Sequence, residues 1–283
     1  MLAYQHAYHA GNFADVHKHL ALHAVTRHLL RKESPITYVD THAGRGLYPL
    51  AAMETDRLQE YRDGVEPVWA ARHALVRDDA PLLADWLAAL TEAQPRSGTL
   101  THYPGSPWWL SRAIRQQDRL TLFELHPGEH RHLESQALPP QARRFHEDGP
   151  QGLVRRLPVP TPRLCVLIDP SYERKAEYAE TAQTLQRIAA KARHAVVMIW
   201  YPLLPAGHHH GLLEALRTAG IDKLWRSELV HHAAGERHGM YGSGLVVRNP
   251  PWGLDTELSA AMQRLAPLWG RGARHSGKWW TTE

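Results

Sequence analysis

Five short apolar runs, each followed by a longer helix-patterned stretch, constrain this chain more than any other feature. They are Ile36 to Asp40, Arg119 to Glu124, Ala142 to His146, Leu164 to Asp169 and Ala195 to Trp200. Strand-sized runs separated by helices belong to a parallel sheet covered on both faces. Two later runs, Lys223 to Val230 and Ser243 to Arg248, read as a hairpin-like pair joined through a Gly-containing loop. Helices are expected from Phe13 to Arg31 behind an Asn12 cap, from Ser106-Pro107 with Ser as cap, and from Leu203 to Ala219 before Gly220.

One connection breaks the alternation. The distance from Asp40 to Glu124 is too great for a single crossover helix, and residues 51–97 carry helical patterns at Val65 to Val76 and Pro81 to Ala93. That segment holds nine acids against five arginines, a net −4, within a chain of formal charge +4, so the remainder carries +8. The chain therefore reads as a core of residues 1–50 and 98–283 with an acidic helical insertion at 51–97. A basic core suits a nucleic-acid partner.

Composition narrows the chemistry. The single cysteine, Cys165, excludes an internal disulfide and any metal site with two Cys ligands, and it sits inside the fourth run as an ordinary buried residue. No apolar stretch approaches the ~18 residues of a membrane span. No basic start followed by an apolar run marks a secretory signal, so the chain is expected in the cytoplasm with no membrane partner. The 21 histidines suggest metal at first sight. However, His17-Lys18-His19 lies in an expected helix, where residues two apart face different ways, and no metal is expected.

Acidic residues recur at the ends of the runs. Asp40 opens the loop Asp40-Thr41-His42-Ala43-Gly44-Arg45-Gly46, whose glycines let backbone approach a ligand. Glu124 ends the second run, where an acid accepts hydrogen bonds from ribose hydroxyls, and Asp148-Gly149 follows the third. All fall at the edge where open α/β sheets bind ligands. At the end of the fourth run stands Asp169-Pro170-Ser171-Tyr172. It resembles the (Asp/Asn/Ser)-Pro-Pro-(Tyr/Phe) signature of S-adenosylmethionine-dependent amino-group methyltransferases, with Ser171 in place of the second proline. In that motif an acceptor side chain and a carbonyl hold an exocyclic amine while the aromatic ring stacks on the base.

Further segments extend the likeness. Tyr4 to His19, Tyr38 to Gly44, Tyr103 to Pro107, Glu124 to Pro127, Trp200-Tyr201-Pro202, Ser243-Gly244 and Asn249 to Trp252 are similar, in order, to the RlmJ family of 23S rRNA adenine-N6 methyltransferases. The resemblance implies a class I, Rossmann-like, mostly parallel seven-stranded sheet with a helical insertion after the first strand. It implies S-adenosylmethionine as cofactor, 23S rRNA as partner, no obligate protein partner and a monomer. Lys18 and His19 would lie near the cofactor's methionine end, with Lys18 suited to its carboxylate. His42, in the first loop, and Ser106, at the cap of the helix before the second strand, would also contact the cofactor, Glu124 would hold the ribose, and Asp148 and Gly149 would take the adenine side. Asp169 would contact the cofactor and, with Pro170 and Tyr172, act at the reacting centre, and Tyr4, His6 and Tyr172 would meet substrate. Three rivals stand beside this reading: a DNA adenine methyltransferase, a metal-dependent hydrolase using the His-rich segments, and a non-catalytic RNA-binding relative.

Overall fold

Alternation along the central strands decides the architecture. Val39, Val166, Ile168, Val197 and Ile199 point into one buried cluster, whereas Tyr38, Cys165, Leu167 and Met198 point into another. Successive residues of a strand face opposite sides, so a sheet apolar on both faces needs a helical layer on each. The structure, a computed structural model, describes residues 5–76, 79–96, 98–236 and 238–280.

Its strands are β1 (Ile36–Asp40), β2 (Leu47–Pro49), β3 (His102–Pro104), β4 (Arg119–Phe123), β5 (Ala142–Phe145), β6 (Arg163–Ile168), β7 (Val196–Leu203), β8 (Leu224–Val230), β9 (Gly242–Arg248) and β10 (Arg274–Trp280). The helices are α1 (Phe13–Leu29), α2 (Met53–Leu58), α3 (Val65–Ala70), α4 (Arg72–Leu75), α5 (Pro81–Glu92), α6 (Ser106–Ala113), α7 (Pro127–Ser135), α8 (Gly149–Arg156), α9 (Ala176–Lys191), α10 (His209–Thr218) and α11 (Leu254–Leu265). The main sheet runs β10-β8-β9-β7-β6-β1-β4-β5. It is parallel from β5 to β7 and antiparallel through β9, β8 and β10. All seven strands anticipated for the sheet are present. An eighth, β10, pairs with β8 over Arg274 to Trp280 and carries the Trp279-Trp280 tail at the sheet edge.

Three local expectations change. The helix expected from Leu203 begins at His209, because Leu203 still pairs with Gly242 in the β7–β9 ladder. The pattern from Val65 to Val76 divides into α3 and α4. Gly105, not Ser106, takes the cap position of α6, and Ser106 is its first residue.

Helix α1 occupies an unusual position. Fifteen of its 17 residues are buried, including Asp15, His17, Lys18, His19 and His23. It packs against α6 and α11 and crosses β9. A helix buried on every side must find a partner for each polar group it carries. The helices between β2 and β3 share this packing. Val65, Val68, Leu83 and Trp86 belong to the same apolar cluster as Leu20, Val25 and Tyr38. Trp86 is fully buried and stacks on Trp109 of α6 at 5.7 Å and 6°.

Because these helices share one core with the sheet, Trp86→Ala is expected to cost about 3–5 kcal/mol of global stability. Calorimetry should show one transition shifted to lower temperature. A separate early transition confined to the helices would contradict a shared core.

Candidate active site

The loops after β1, β4, β5, β6 and β7 meet the face of α1 around a cavity of about 710 Å³. Each loop has a local reason for its shape. After β1, Gly44 and Gly46 adopt φ of +62° and +85°, and the Gly44 N–H donates to Glu124 Oε2 at 2.8 Å. The other Glu124 oxygen accepts from the His126 N–H at 2.7 Å, leaving the half-buried carboxylate fixed at the cavity wall. Burial raises the Glu124 pKa, and these two N–H bonds offset part of that. After β5, Asp148 caps α8 by accepting from the Gln151 N–H at 2.9 Å. Gly149 is needed for close approach, since a Cβ there would fall 2.0 Å from the Thr41 carbonyl oxygen.

Asp169 lies at the centre. Its Oδ2 accepts from Lys18 Nζ at 2.6 Å, and Lys18 also meets Asp15 Oδ1 at 3.0 Å. Burial alone would lower the Lys18 pKa, but the two carboxylates outweigh it and hold the ammonium above its usual range. Burial raises the Asp169 pKa, offset in part by Lys18. The geometry decides the ionic state here: at 2.6 Å from an ammonium, Asp169 is a carboxylate at neutral pH. Asp15 Oδ2 accepts from the Gly11 N–H at 2.9 Å and faces His6 Nε2 at 2.9 Å. Burial would raise Asp15, yet His6 and Lys18 hold it well below its usual range.

The remaining residues fall into place around this triad. His42 is neutral, its pKa pushed down to about 3 by burial and then by Lys18. Its Nδ1 lies 2.8 Å from Thr41 Oγ1 and 3.4 Å from the Asp169 N–H. Asp40 is raised to about 7 by burial, with Ser106 and the His42 N–H opposing. His19 pairs through Nδ1 with the Tyr103 hydroxyl at 2.9 Å. His6, His19, His42, Ser106, Glu124, Asp148, Gly149, Asp169 and Pro170 all reach the cavity wall, as does Lys18. Tyr4 lies outside the described residues.

Lys18 gives two of its three N–H donors to Asp15 and Asp169 and still lines the cavity. One expectation does not survive. Tyr172 does not present its ring to the cavity. It adopts φ +55°, is 6% exposed, packs on Tyr178 at 4.3 Å and donates its hydroxyl to the Trp200 carbonyl at 2.8 Å. Trp200 lines the cavity, with Lys18 Nζ 5.7 Å from its ring centroid. Sequence reasoning passed over Asp15 and gave Trp200 no role. The signal for Asp15 was its place three residues before Lys18, which puts both on one helix face. Nothing in the spacing of Trp200 marks where its ring turns. The paired histidines also diverge, since His17 bonds Ser243 and Ser227 while His19 bonds Tyr103.

Asp15→Asn is expected to destabilise the protein by about 3 kcal/mol, the low end for breaking a buried pair because Asp169 still faces Lys18. The folded pKa of Asp15 is depressed, so its contribution is complete above the ordinary carboxylate range and is lost as pH falls through the folded value. The Tm gap between wild type and variant should therefore close as pH drops below about 4.

Comparisons with known proteins agree on one family. Residues 33–282 match the family model described as Ribosomal RNA large subunit methyltransferase D, RlmJ. Ribosomal RNA large subunit methyltransferase J of Escherichia coli K12 is 33% identical over 282 residues, covering 99% of both chains. Its namesake in Haemophilus influenzae is 32% identical over 275 residues, covering 94% of this chain and 93% of that protein. A crystal structure of a Legionella pneumophila protein superposes with a TM-score of 0.87 at 33% identity, covering 95% of this chain and 98% of that one. The chain belongs to the RlmJ family of ribosomal RNA large subunit methyltransferases.

Proposed function

We propose that this protein transfers the methyl group of S-adenosylmethionine to the N6 amine of one adenine in 23S rRNA. The observation that carries the reading is the carboxylate of Asp169, pinned by Lys18 through Oδ2 at the edge of a cavity that also presents Glu124 and Gly149. The wall suits the cofactor chemically. Glu124 offers acceptors for ribose hydroxyls, Asp148, Gly149 and Pro150 form part of the wall where an adenine would lie, and His19, His42 and Ser106 add further polar groups. Bound S-adenosylmethionine supplies an electrophilic methyl carbon beside a positively charged sulfur.

The chain's own groups do the rest. Asp169 accepts one N–H of the amine and the Pro170 carbonyl accepts the other. These two bonds draw the nitrogen lone pair out of conjugation with the ring and aim it at the methyl donor. Lys18 fixes one Asp169 oxygen, which leaves the other for the amine. The raised proton affinity of Asp169 suits it to take the proton that N6 sheds as the new C–N bond forms. Trp200, rather than Tyr172, is the ring against which the base lies. Orientation and fixed charge supply the acceleration, without a covalent enzyme intermediate. The target adenine is presented unpaired or swung out of its helix.

The RNA chain itself meets the basic part of the protein, outside residues 51–97, through phosphate contacts. The division into a core (1–50 and 98–283) and a helical insertion (51–97) belongs to the same reading. It is supported by the absence, among the described residues, of any main-sheet strand between β1 and β4. The protein acts as a monomer in the cytoplasm on this account.

Asp169→Ala is expected to abolish methyl transfer while calorimetric titration still registers S-adenosylmethionine binding; full activity in that variant would sink the assignment. The pH dependence has a definite sign. Asp169 works as a carboxylate, so activity is present above its raised pKa and lost as pH falls through it. The acid limb of kcat should lie above the ordinary Asp value of about 3.9. Lys18→Met removes the offsetting cation and should move that limb to higher pH. A limb that stays in place would contradict the Lys18–Asp169 coupling.

A further inference from the structure

A chain of buried polar side chains runs from the cavity wall through the core to the edge strand. Trp200 Nε1 lies 3.0 Å from Ser243 Oγ. Ser243 Oγ lies 3.0 Å from His17 Nδ1, and His17 Nε2 lies 2.9 Å from Ser227 Oγ. Ser227 Oγ in turn lies 2.7 Å from His275 Nε2 on β10. His17, Ser227 and Ser243 are each 0% exposed.

One direction is fixed: an indole N–H can only donate, so Ser243 accepts from Trp200. A hydroxyl donates one proton and accepts up to two, so Ser243 and Ser227 satisfy either neutral tautomer of His17. Burial, and then His275, hold His17 well below its usual pKa, which keeps it neutral. Apolar side chains at these positions would bring no desolvation cost. What the polar set adds is a single orientation for the indole, since rotating Trp200 would take its N–H away from the Ser243 acceptor that His17 holds in place.

We propose that His17 and Ser243 are positioning residues for methyl transfer: they lock the Trp200 ring at the orientation in which it receives the target base. The proposal rests on the reading of Trp200 as the base-facing wall. His17 acts through Ser243, Ser243 acts on the indole, and Ser227 with His275 extends the lock to β10. The same helix thus sets both sides of the reacting amine. Lys18 fixes Asp169, and His17 fixes the ring.

A double-mutant cycle with Ser243→Ala and Trp200→Phe tests this on the full-length protein, with a protein-free 23S rRNA fragment as substrate. Ser243→Ala alone is expected to lower kcat/KM for RNA on the order of 10-fold, while the Kd for S-adenosylmethionine stays within about twofold. In the Trp200→Phe background, which has no indole N–H, Ser243→Ala should add little further loss. An equal loss in both backgrounds would reduce Ser243 to a structural residue and overturn the proposal, as would no loss in either. The Trp200 indole N–H resonance, identified by its disappearance in Trp200→Phe, gives a readout independent of activity. It should shift and exchange faster with solvent in Ser243→Ala, and an unchanged resonance overturns the lock. Absence of methyl transfer by the wild type would instead overturn the functional reading, with the indole signal still deciding whether the lock exists.

Discussion

One buried ammonium organises the site. Lys18 sits between Asp15 and Asp169 at 3.0 and 2.6 Å, with only 5% of its side chain exposed. Removing these charges from water costs several kcal/mol per ion, and the arrangement holds only because each charge faces its opposite at contact distance. The Asp15 oxygens are further fixed by the Gly11 N–H and by His6. Stiffness at the Asp169 carboxylate is the consequence. Asp169 has one oxygen committed to the protein and one open to the cavity, in a loop whose backbone N–H also leans on His42.

That arrangement explains why α1 is both polar and buried. A helix carrying Asp15, His17, Lys18 and His19 in a row would ordinarily lie at the surface. Here each of the four points at a different wall of the cavity or core. Lys18 reaches the loop after β6, His17 reaches β8 and β9, His19 reaches Tyr103, and Asp15 turns back to the segment before the helix. The chemistry sits on the ends of a rigid sheet, and α1 is the clamp that sets the distances between them. Precision on this scale is what orientation-based catalysis requires.

The central strands were legible because each carries its own apolar run, long enough to be buried on both faces. The acids at their ends followed from the same reading, and the structure brings Glu124, Asp148 and Asp169 to one cavity. What stayed hidden depends on packing across long sequence distances. β10, with the sequence Arg-His-Ser-Gly-Lys-Trp-Trp, is polar and contains a glycine, so only its partner β8 makes it a strand. The strands β2 and β3 have three residues each and give no periodicity at all. Of the motif Asp169 to Tyr172, the carboxylate lines the cavity and the ring does not. At φ +55° the Tyr172 side chain turns into the core, a conformation that no residue type announces. The pairing of Lys18 with Asp169 was not legible, because the two lie 151 positions apart and only the fold brings them together.

The central claim is that this site methylates the N6 of one adenine in 23S rRNA. Mass mapping of 23S rRNA from a strain lacking the protein, beside the same strain with the protein restored, addresses it most directly. The account predicts one adenine that loses a single N6 methyl group in the absence of the protein and regains it on restoration, but not when Asp169→Ala is restored instead. Identical methylation of 23S rRNA in all the strains, or a missing methyl on another atom or nucleoside, would contradict it.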